Sequence, residues 1–129
     1  MNSNDFDFYE DDEGLSVNLV LNSFGRSEIP FTYLDVDSGD EIFVAGIKFV
    51  IENQSVLYEL SKKEIALYID KVYKSNDLSF YLVKIYVFPE SDNEFGFMYR
   101  WSEDTEHGIG VKYSGLSVQR VGSAEVAFM

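Results

Sequence analysis

The pattern of apolar and polar residues predicts a chain made mainly of β-strands. Apolar residues at every second position are typical of a strand with one buried face. Seven segments carry this alternation or a short apolar run: 15–21, 29–34, 41–51, 78–88, 94–101, 107–113 and 116–122. Pro30 places the second segment at the periphery of a sheet, because proline cannot donate a ladder hydrogen bond. Segment 78–88 is apolar on both faces, which is typical of a central strand.

One segment, residues 61–74, has the spacing of a helix. Ser61 and Glu64 fit a capping box, in which each side chain accepts a hydrogen bond from a free backbone N–H of the other's residue. Apolar residues then recur at helical spacing: Ile65, Tyr68, Ile69 and Val72. The same apolar stripe continues backwards, so a start near Ser55 is also open.

These elements predict an α+β fold, a largely antiparallel sheet of about six to seven strands with one main helix packed on a face. The length of 129 residues corresponds to a single domain, residues 1–129. Residues 1–13 are an acidic N-terminal segment for which flexibility is one interpretation.

The charge of the chain is strongly acidic and unevenly distributed. The net charge is −13, from 23 acidic and 10 basic residues. Residues 1–47 hold eleven acids and one base, Arg26, whereas residues 48–129 hold twelve acids and nine bases. This charge disfavours nucleic acid, which binds mainly through Lys and Arg, and it would steer a basic protein partner. The alternative is that the acidity serves only solubility.

Cysteine usage and hydropathy bear on where the protein acts. The chain has no cysteine, which excludes disulfides and thiolate metal sites and suits a reducing compartment. No apolar run approaches the roughly 20 residues of a membrane span. The acidic N-terminal sequence has neither the basic nor the apolar region of a signal peptide. We therefore expect a cytoplasmic protein with no membrane partner.

The histidine His107 is the first candidate for chemistry, because it is the only histidine in the chain. Asp104 and Glu106 flank it, and a carboxylate–histidine pair can act as a general base. The chain lacks a recognisable nucleophile motif beside it, and a zinc site would require three further acidic ligands. We favour a structural histidine at the end of strand 107–113, on its aromatic face.

Two further patterns resemble sites without meeting their requirements. Residues 35–46 begin like a calcium-binding loop, but Asp40 stands where the loop requires glycine and Gly46 where it requires glutamate. Gly108 and Gly110 lack the strand–turn–helix setting of a phosphate loop. On one face of a strand they instead leave a flat groove for another part of the molecule. We expect neither a metal nor a cofactor.

Four aromatic residues alternate along segment 94–101: Phe95, Phe97, Tyr99 and Trp101. Such a stripe can stack nucleic-acid bases on a sheet. The acidity of the chain argues against that use, so we interpret the stripe as part of the hydrophobic core.

The C-terminal third resembles a family of small bacterial proteins of unknown biochemical activity. The resemblance lies in an aromatic strand, the run "EHGIGV" and a closing "VG…VAF". Its matching residues are Trp101, Glu106, His107, Gly108, Gly110, Val111, Val121, Gly122, Ala127 and Phe128. Members of this family often look like immunity proteins encoded beside polymorphic or contact-dependent toxins. The resemblance implies such a role here, and it assigns no contact residue.

Together, charge and resemblance predict an immunity protein and no enzymatic activity. It would bind a cognate toxin, a basic nuclease domain, and occlude the substrate cleft of that domain with an acidic surface. The predicted contact residues are Glu10, Asp11, Asp12, Glu13, Asp35, Asp37, Asp40 and Glu41. Glu10 to Glu13 are also compatible with a solvating tail. The alternatives are a small enzyme using His107 with Asp104 or Glu106, and an acidic adaptor without a toxin partner.

Overall fold

The computed structural model describes residues 6–33, 40–88 and 93–129 and contains an α+β fold. Its strands form one seven-stranded sheet in sequential order. The strands are β1 Tyr9–Asp11, β2 Gly14–Val20, β3 Glu28–Tyr33, β4 Phe80–Val87, β5 Glu94–Trp101, β6 Ile109–Ser114 and β7 Ser117–Gly122. The helices are α1 Asp40–Glu52 and α2 Gln54–Tyr73, and a 3-10 helix Ala124–Phe128 lies near the C-terminus.

The neighbouring strands are antiparallel except at the centre, where β3 and β4 run parallel. Parallel neighbours require a crossover connection, and α1 and α2 lie within it. β3 is therefore an interior strand, and its predicted peripheral position is wrong. The reason is that Pro30 pairs with Asn18 of β2, whereas pairing with β4 begins one residue later at Phe31. The proline interrupts no ladder bond to β4.

The N-terminal acidic segment contributes a strand to the sheet edge. β1 pairs with β2 through Glu10 and Leu15, and Tyr9 donates a hydrogen bond to Asn18 at 2.7 Å. The part of this segment from Tyr9 onwards thus forms the first strand and the turn of a β-hairpin with β2.

Segment 41–51, predicted as a strand, forms helix α1 instead. The residues that are most deeply buried, Phe43, Ile47 and Val50, recur at helical spacing. Ala45, which belongs to the predicted strand face, is exposed. The segment carries both periodicities, and packing favours the helix because Gly46 lets α1 approach Val87 of β4 closely: a Cβ there would lie 2.9 Å from Val87 Cγ1.

Helix α2 confirms the predicted helix but begins at Gln54, close to the earlier start that the sequence left open. The capping-box interpretation is wrong, because Ser61 lies inside the helix and its side chain is buried. Tyr99 donates a hydrogen bond to its Oγ at 2.6 Å, and the Tyr113 hydroxyl bonds to the same atom and donates to the carbonyl of Leu57 at 3.0 Å. Burial raises the pKa of both phenols well above 10.

The sheet has two unlike faces, of which one is the core. The helix face packs against α1 and α2, and all four residues of the predicted aromatic stripe are buried on it: Phe95, Phe97, Tyr99 and Trp101. The opposite face, here called the second face, carries the alternate residues of the same strands, among them Tyr86 and Gly96.

The C-terminal 3-10 helix packs on the second face over glycines of β5 and β6. A Cβ on Gly96 would overlap the Ala127 carbonyl group and lie 2.7 Å from Ala127 Cα. A Cβ on Gly110 would lie 2.7 Å from the Ser123 carbonyl oxygen. The aromatic rings of Tyr86 and Phe128 then meet edge to face at 5.4 Å. Gly110 of the predicted glycine pair thus lies under the chain's own C-terminal segment together with Gly96, whereas Gly108 precedes β6 and is not part of that strand face.

Candidate functional site: the acidic end of the sheet

Strand register brings two of the predicted acidic segments to the same end of the sheet. The β1–β2 turn, Asp12 and Glu13, precedes Leu15, which pairs with Tyr33 at the end of β3. Tyr33 pairs in turn with Val87 at the end of β4. The first turn of α1 lies at this end too, because Glu41 and Val87 line a common groove.

We define the acidic end as the part of this region that carries the predicted contact residues. It comprises Glu10, Asp11, Asp12, Glu13, Asp40 and Glu41. The side chains of Glu10, Asp12 and Glu41 are exposed and so accessible to a partner. Asp35 and Asp37 lie outside the described residues, and of Asp11 and Asp40 the structure describes only the backbone.

Glu13 differs from the other acids because its carboxylate is engaged within the molecule. It forms an ion pair with Lys84 Nζ and accepts a hydrogen bond from the Tyr86 hydroxyl at 2.9 Å. Both partners belong to β4, although β3 lies between β2 and β4 in the sheet. The contacts therefore fix the position of the β1–β2 turn, and Glu13 acts first as a structural residue.

A groove beside Glu41, here called the Glu41 groove, is a feature that the sequence interpretation missed. Its volume is about 370 Å³, and its walls combine Ile42 and Ala45 of α1 with Val87 and Phe88 at the end of β4. The apolar residues of 41–51 were the available signal. When these residues are read as a strand, Glu41 and Ile42 point to opposite faces of the sheet. Only in a helix do they lie in one turn and line the same groove.

The opposite end of the sheet holds His107 in the β5–β6 turn. Its Nδ1 lies 3.1 Å from the Asp104 carboxylate, and its backbone N–H donates to Asp104 Oδ1 at 3.0 Å. Asp104 also accepts a hydrogen bond from the Tyr73 hydroxyl at 2.8 Å. The side chain of His107 is 63% exposed.

The structure corrects the predicted placement of His107 on the aromatic face of β6. The strand begins at Ile109, and Gly108 has a left-handed backbone, with φ of 62°. That conformation breaks the alternation between residues 107 and 109, so the imidazole turns to solvent while Ile109 is buried.

The hydrogen bonds around Asp104 shift the ionisation of two groups. The His107 backbone N–H, followed by the Tyr73 hydroxyl, lowers the pKa of the Asp104 carboxyl below its ordinary value. The same carboxylate raises the pKa of Tyr73 to about 12, because an accepted hydrogen bond and its negative charge favour the neutral phenol. Asp104 therefore carries the negative charge of the turn and accepts hydrogen bonds from both His107 and Tyr73.

Three further findings concern metal sites, membrane spans and similarity to known proteins. In residues 6–33, 40–88 and 93–129, no three His, Asp or Glu side chains converge as a metal site would require. None of the helices described here combines the length and apolarity needed to cross a membrane. Comparison of the chain with protein-family models, curated proteins and solved structures finds no match.

Proposed function

We propose that this protein is an immunity protein that binds and neutralises a cognate toxin with a basic nuclease domain. The observation that carries the proposal is that exposed acids from two separate segments, Glu10 and Asp12 of the first and Glu41 of the second, lie at one end of the sheet. A rigid sheet edge and a helix start hold these acids in place, as an inhibitory surface requires. Its proposed place of action is the cytoplasm.

The proposed mechanism is occlusion of a cleft by charge. A nuclease binds phosphates through lysine and arginine side chains, and the acidic end would occupy the same side chains. The net charge of −13 would accelerate encounter with such a partner. Tyr9 and Ile42 flank the acids and are 40% and 42% exposed, so they supply apolar surface that would slow dissociation.

The resemblance of the C-terminal third supports this proposal in a specific way. Several of its matching residues have structural roles: Gly110 and Ala127 belong to the contact between β6 and the C-terminal 3-10 helix. Gly108 adopts the left-handed conformation that opens β6. These matching residues therefore have structural roles in this fold, and the proposed contact surface is formed by other residues, those of the acidic end.

The first test is co-purification of a tagged copy with the product of the gene directly upstream, washed across a salt series. We expect a stoichiometric complex that weakens as salt rises, because charges near a protein surface are screened beyond about 8 Å at physiological ionic strength. Co-expression should also protect cells from that product. Absence of a complex at every salt concentration would reject the proposal.

A charge-matched pair of variants tests whether the acidic end is the contact surface. The first combines Glu10→Gln, Asp12→Asn and Glu41→Gln. The control combines Glu59→Gln, Asp70→Asn and Glu125→Gln, which are exposed acids elsewhere. Both variants lose three negative charges, so the contribution of net charge to the rate of encounter changes by a similar amount in each. Only the first should lose the complex and its salt dependence, and equal effects would assign the contact to another surface.

The alternative of a small enzyme rests on the contact between His107 and Asp104. A His107→Ala variant separates the two functions, because an immunity protein keeps its protection without the imidazole. The acidic adaptor without a toxin partner is separated by the growth assay, in which it would give no protection.

A further inference from the structure

We propose that the Glu41 groove is the anchor site of this surface and receives an arginine side chain of the basic partner. The inference rests on the proposed function and makes it more specific, because it identifies one pocket and one type of side chain. The groove lies in the acidic end and is open to solvent along one side, as docking of a protruding side chain requires.

The shape of the groove follows from the close packing of α1 on β4. Gly46 faces Val87 without an intervening Cβ, so the first two turns of the helix lie directly beside the end of the strand. Phe88 continues the wall beyond Val87 and is itself buried, which makes that wall rigid. A preformed cleft of about 370 Å³ lies in the size range of small-ligand sites and costs little reorganisation on binding.

The lining suits a side chain with an apolar stem and a cationic head. Ile42, Ala45 and Val87 offer carbon surface to the methylene groups of such a stem. Glu41 and Asn93 also line the groove, and both residues have side-chain oxygen atoms that can accept hydrogen bonds. Arginine fits this combination better than lysine, because its planar guanidinium pairs with a carboxylate through two hydrogen bonds and is more weakly hydrated.

The charge of the region decides against an anionic or neutral occupant. The N-terminus of α1 carries a partial positive charge, but Glu41 places a carboxylate in its first turn. The chain as a whole adds a negative field with its net charge of −13. An anion would be repelled by these charges, and an uncharged apolar group would desolvate Glu41 without compensation.

The test is an NMR titration of the ¹⁵N-labelled protein with N-acetyl-arginine amide, which needs no natural partner. We expect saturating shifts of the backbone amides of Ile42, Ala45, Phe88 and Asn93, with affinity on the order of millimolar for one side chain. The citrulline analogue has the same shape without the charge and should give no saturating shifts. The lysine analogue should bind more weakly than the arginine analogue.

Two variants and one control locate the site. Glu41→Gln should weaken binding of the arginine probe about fivefold, the upper effect of an exposed ion pair. Ala45→Leu should abolish it by filling the groove while keeping every charge. Glu52→Gln, an exposed acid at the other end of the same helix, should leave binding unchanged. Circular dichroism of each variant establishes that α1 remains folded.

The outcomes separate this inference from the proposed function. Equal shifts with the citrulline probe, or shifts spread over all exposed acids, would overturn the arginine site. If a salt-sensitive complex with a toxin still forms in that case, the proposed function stands and only the anchor is wrong. Saturable binding in the groove that Ala45→Leu removes would establish the site even before a partner is identified.

Discussion

Replacement of Gly96 by alanine should release the C-terminal 3-10 helix from the sheet. The added Cβ would overlap the Ala127 carbonyl group, so strand and 3-10 helix cannot both keep their positions. The chain can relieve the overlap by undocking the helix, so the cost cannot exceed the free energy of docking. Exposure of Val126, now 3% exposed, costs about 1.5–3 kcal/mol. Loss of the Tyr86–Phe128 ring pair adds about 0.5–1.5 kcal/mol.

The expected destabilisation is therefore about 2–4 kcal/mol, a large part of the roughly 5–15 kcal/mol of a typical domain. Urea denaturation measures it, and the midpoint should fall by about 1–2 M for ordinary slopes. Arg100→Ala, at an exposed position of the same strand, serves as the control and should change stability by less than about 0.5 kcal/mol.

A thermodynamic cycle with a truncation tests the physical reason for this effect. In a chain ending at Gly122 the 3-10 helix is gone, so Gly96→Ala should cost almost nothing there. The coupling free energy between the truncation and Gly96→Ala should then be close to the full destabilisation that Gly96→Ala causes in the complete chain. An equal cost in full-length and truncated chains would refute the reasoning, because the strain would then lie within the sheet.

Three further substitutions probe the interior and the histidine turn. Ser61→Ala should cost about 1–3 kcal/mol in urea denaturation, because it removes a hydrogen-bond partner of two buried phenols, Tyr99 and Tyr113; a loss below 0.5 kcal/mol would contradict this. The pKa of Asp104 is lower in the folded chain than its ordinary 3.8, so its stabilising contribution is complete above about pH 4 and is lost as pH falls through the folded value. Asp104→Asn should accordingly show a smaller fall of the urea midpoint between pH 4 and 2 than the parent chain, and equal slopes would count against this assignment. His107→Ala should lower stability by less than about 1 kcal/mol, because its imidazole is mostly exposed, and should leave the proposed partner binding intact in the co-purification assay.

Strands β5 and β6 were predictable because alternate apolar residues in each form a buried face. The alternating apolar residues of β5 predict its buried face directly. The same alternation predicts the buried face of β6 from Ile109 onwards, after Gly108. Segment 41–51 was not predictable in this way, since its apolar residues satisfy the periods of both a strand and a helix. Only its packing against Val87 selects the helix, and that contact joins residues far apart in sequence.

The candidate site was predictable in composition and not in geometry. The acids of 10–13 and 40–41 are evident in the sequence, whereas their common location depends on the register of β2 with β3 and of β3 with β4. The engagement of Glu13 by Lys84 was equally hidden, because Glu13 lies in the β1–β2 turn and Lys84 lies on β4, which neighbours neither β1 nor β2. Sequence patterns report which residues of a single helix or strand are buried. The candidate site depends instead on how separate elements are arranged relative to one another.

The parallel pairing of β3 with β4 also has a consequence for the order of folding. All other strand pairs join neighbours through short connections, whereas this one must close a loop of residues 34–79. Loop closure costs entropy before the contact stabilises the chain. The β4–β7 meander can therefore form early, and β1–β3 would join it late. On this pathway the acidic end, which needs both halves, is assembled last, so a nascent or partly folded chain would still lack the proposed contact surface.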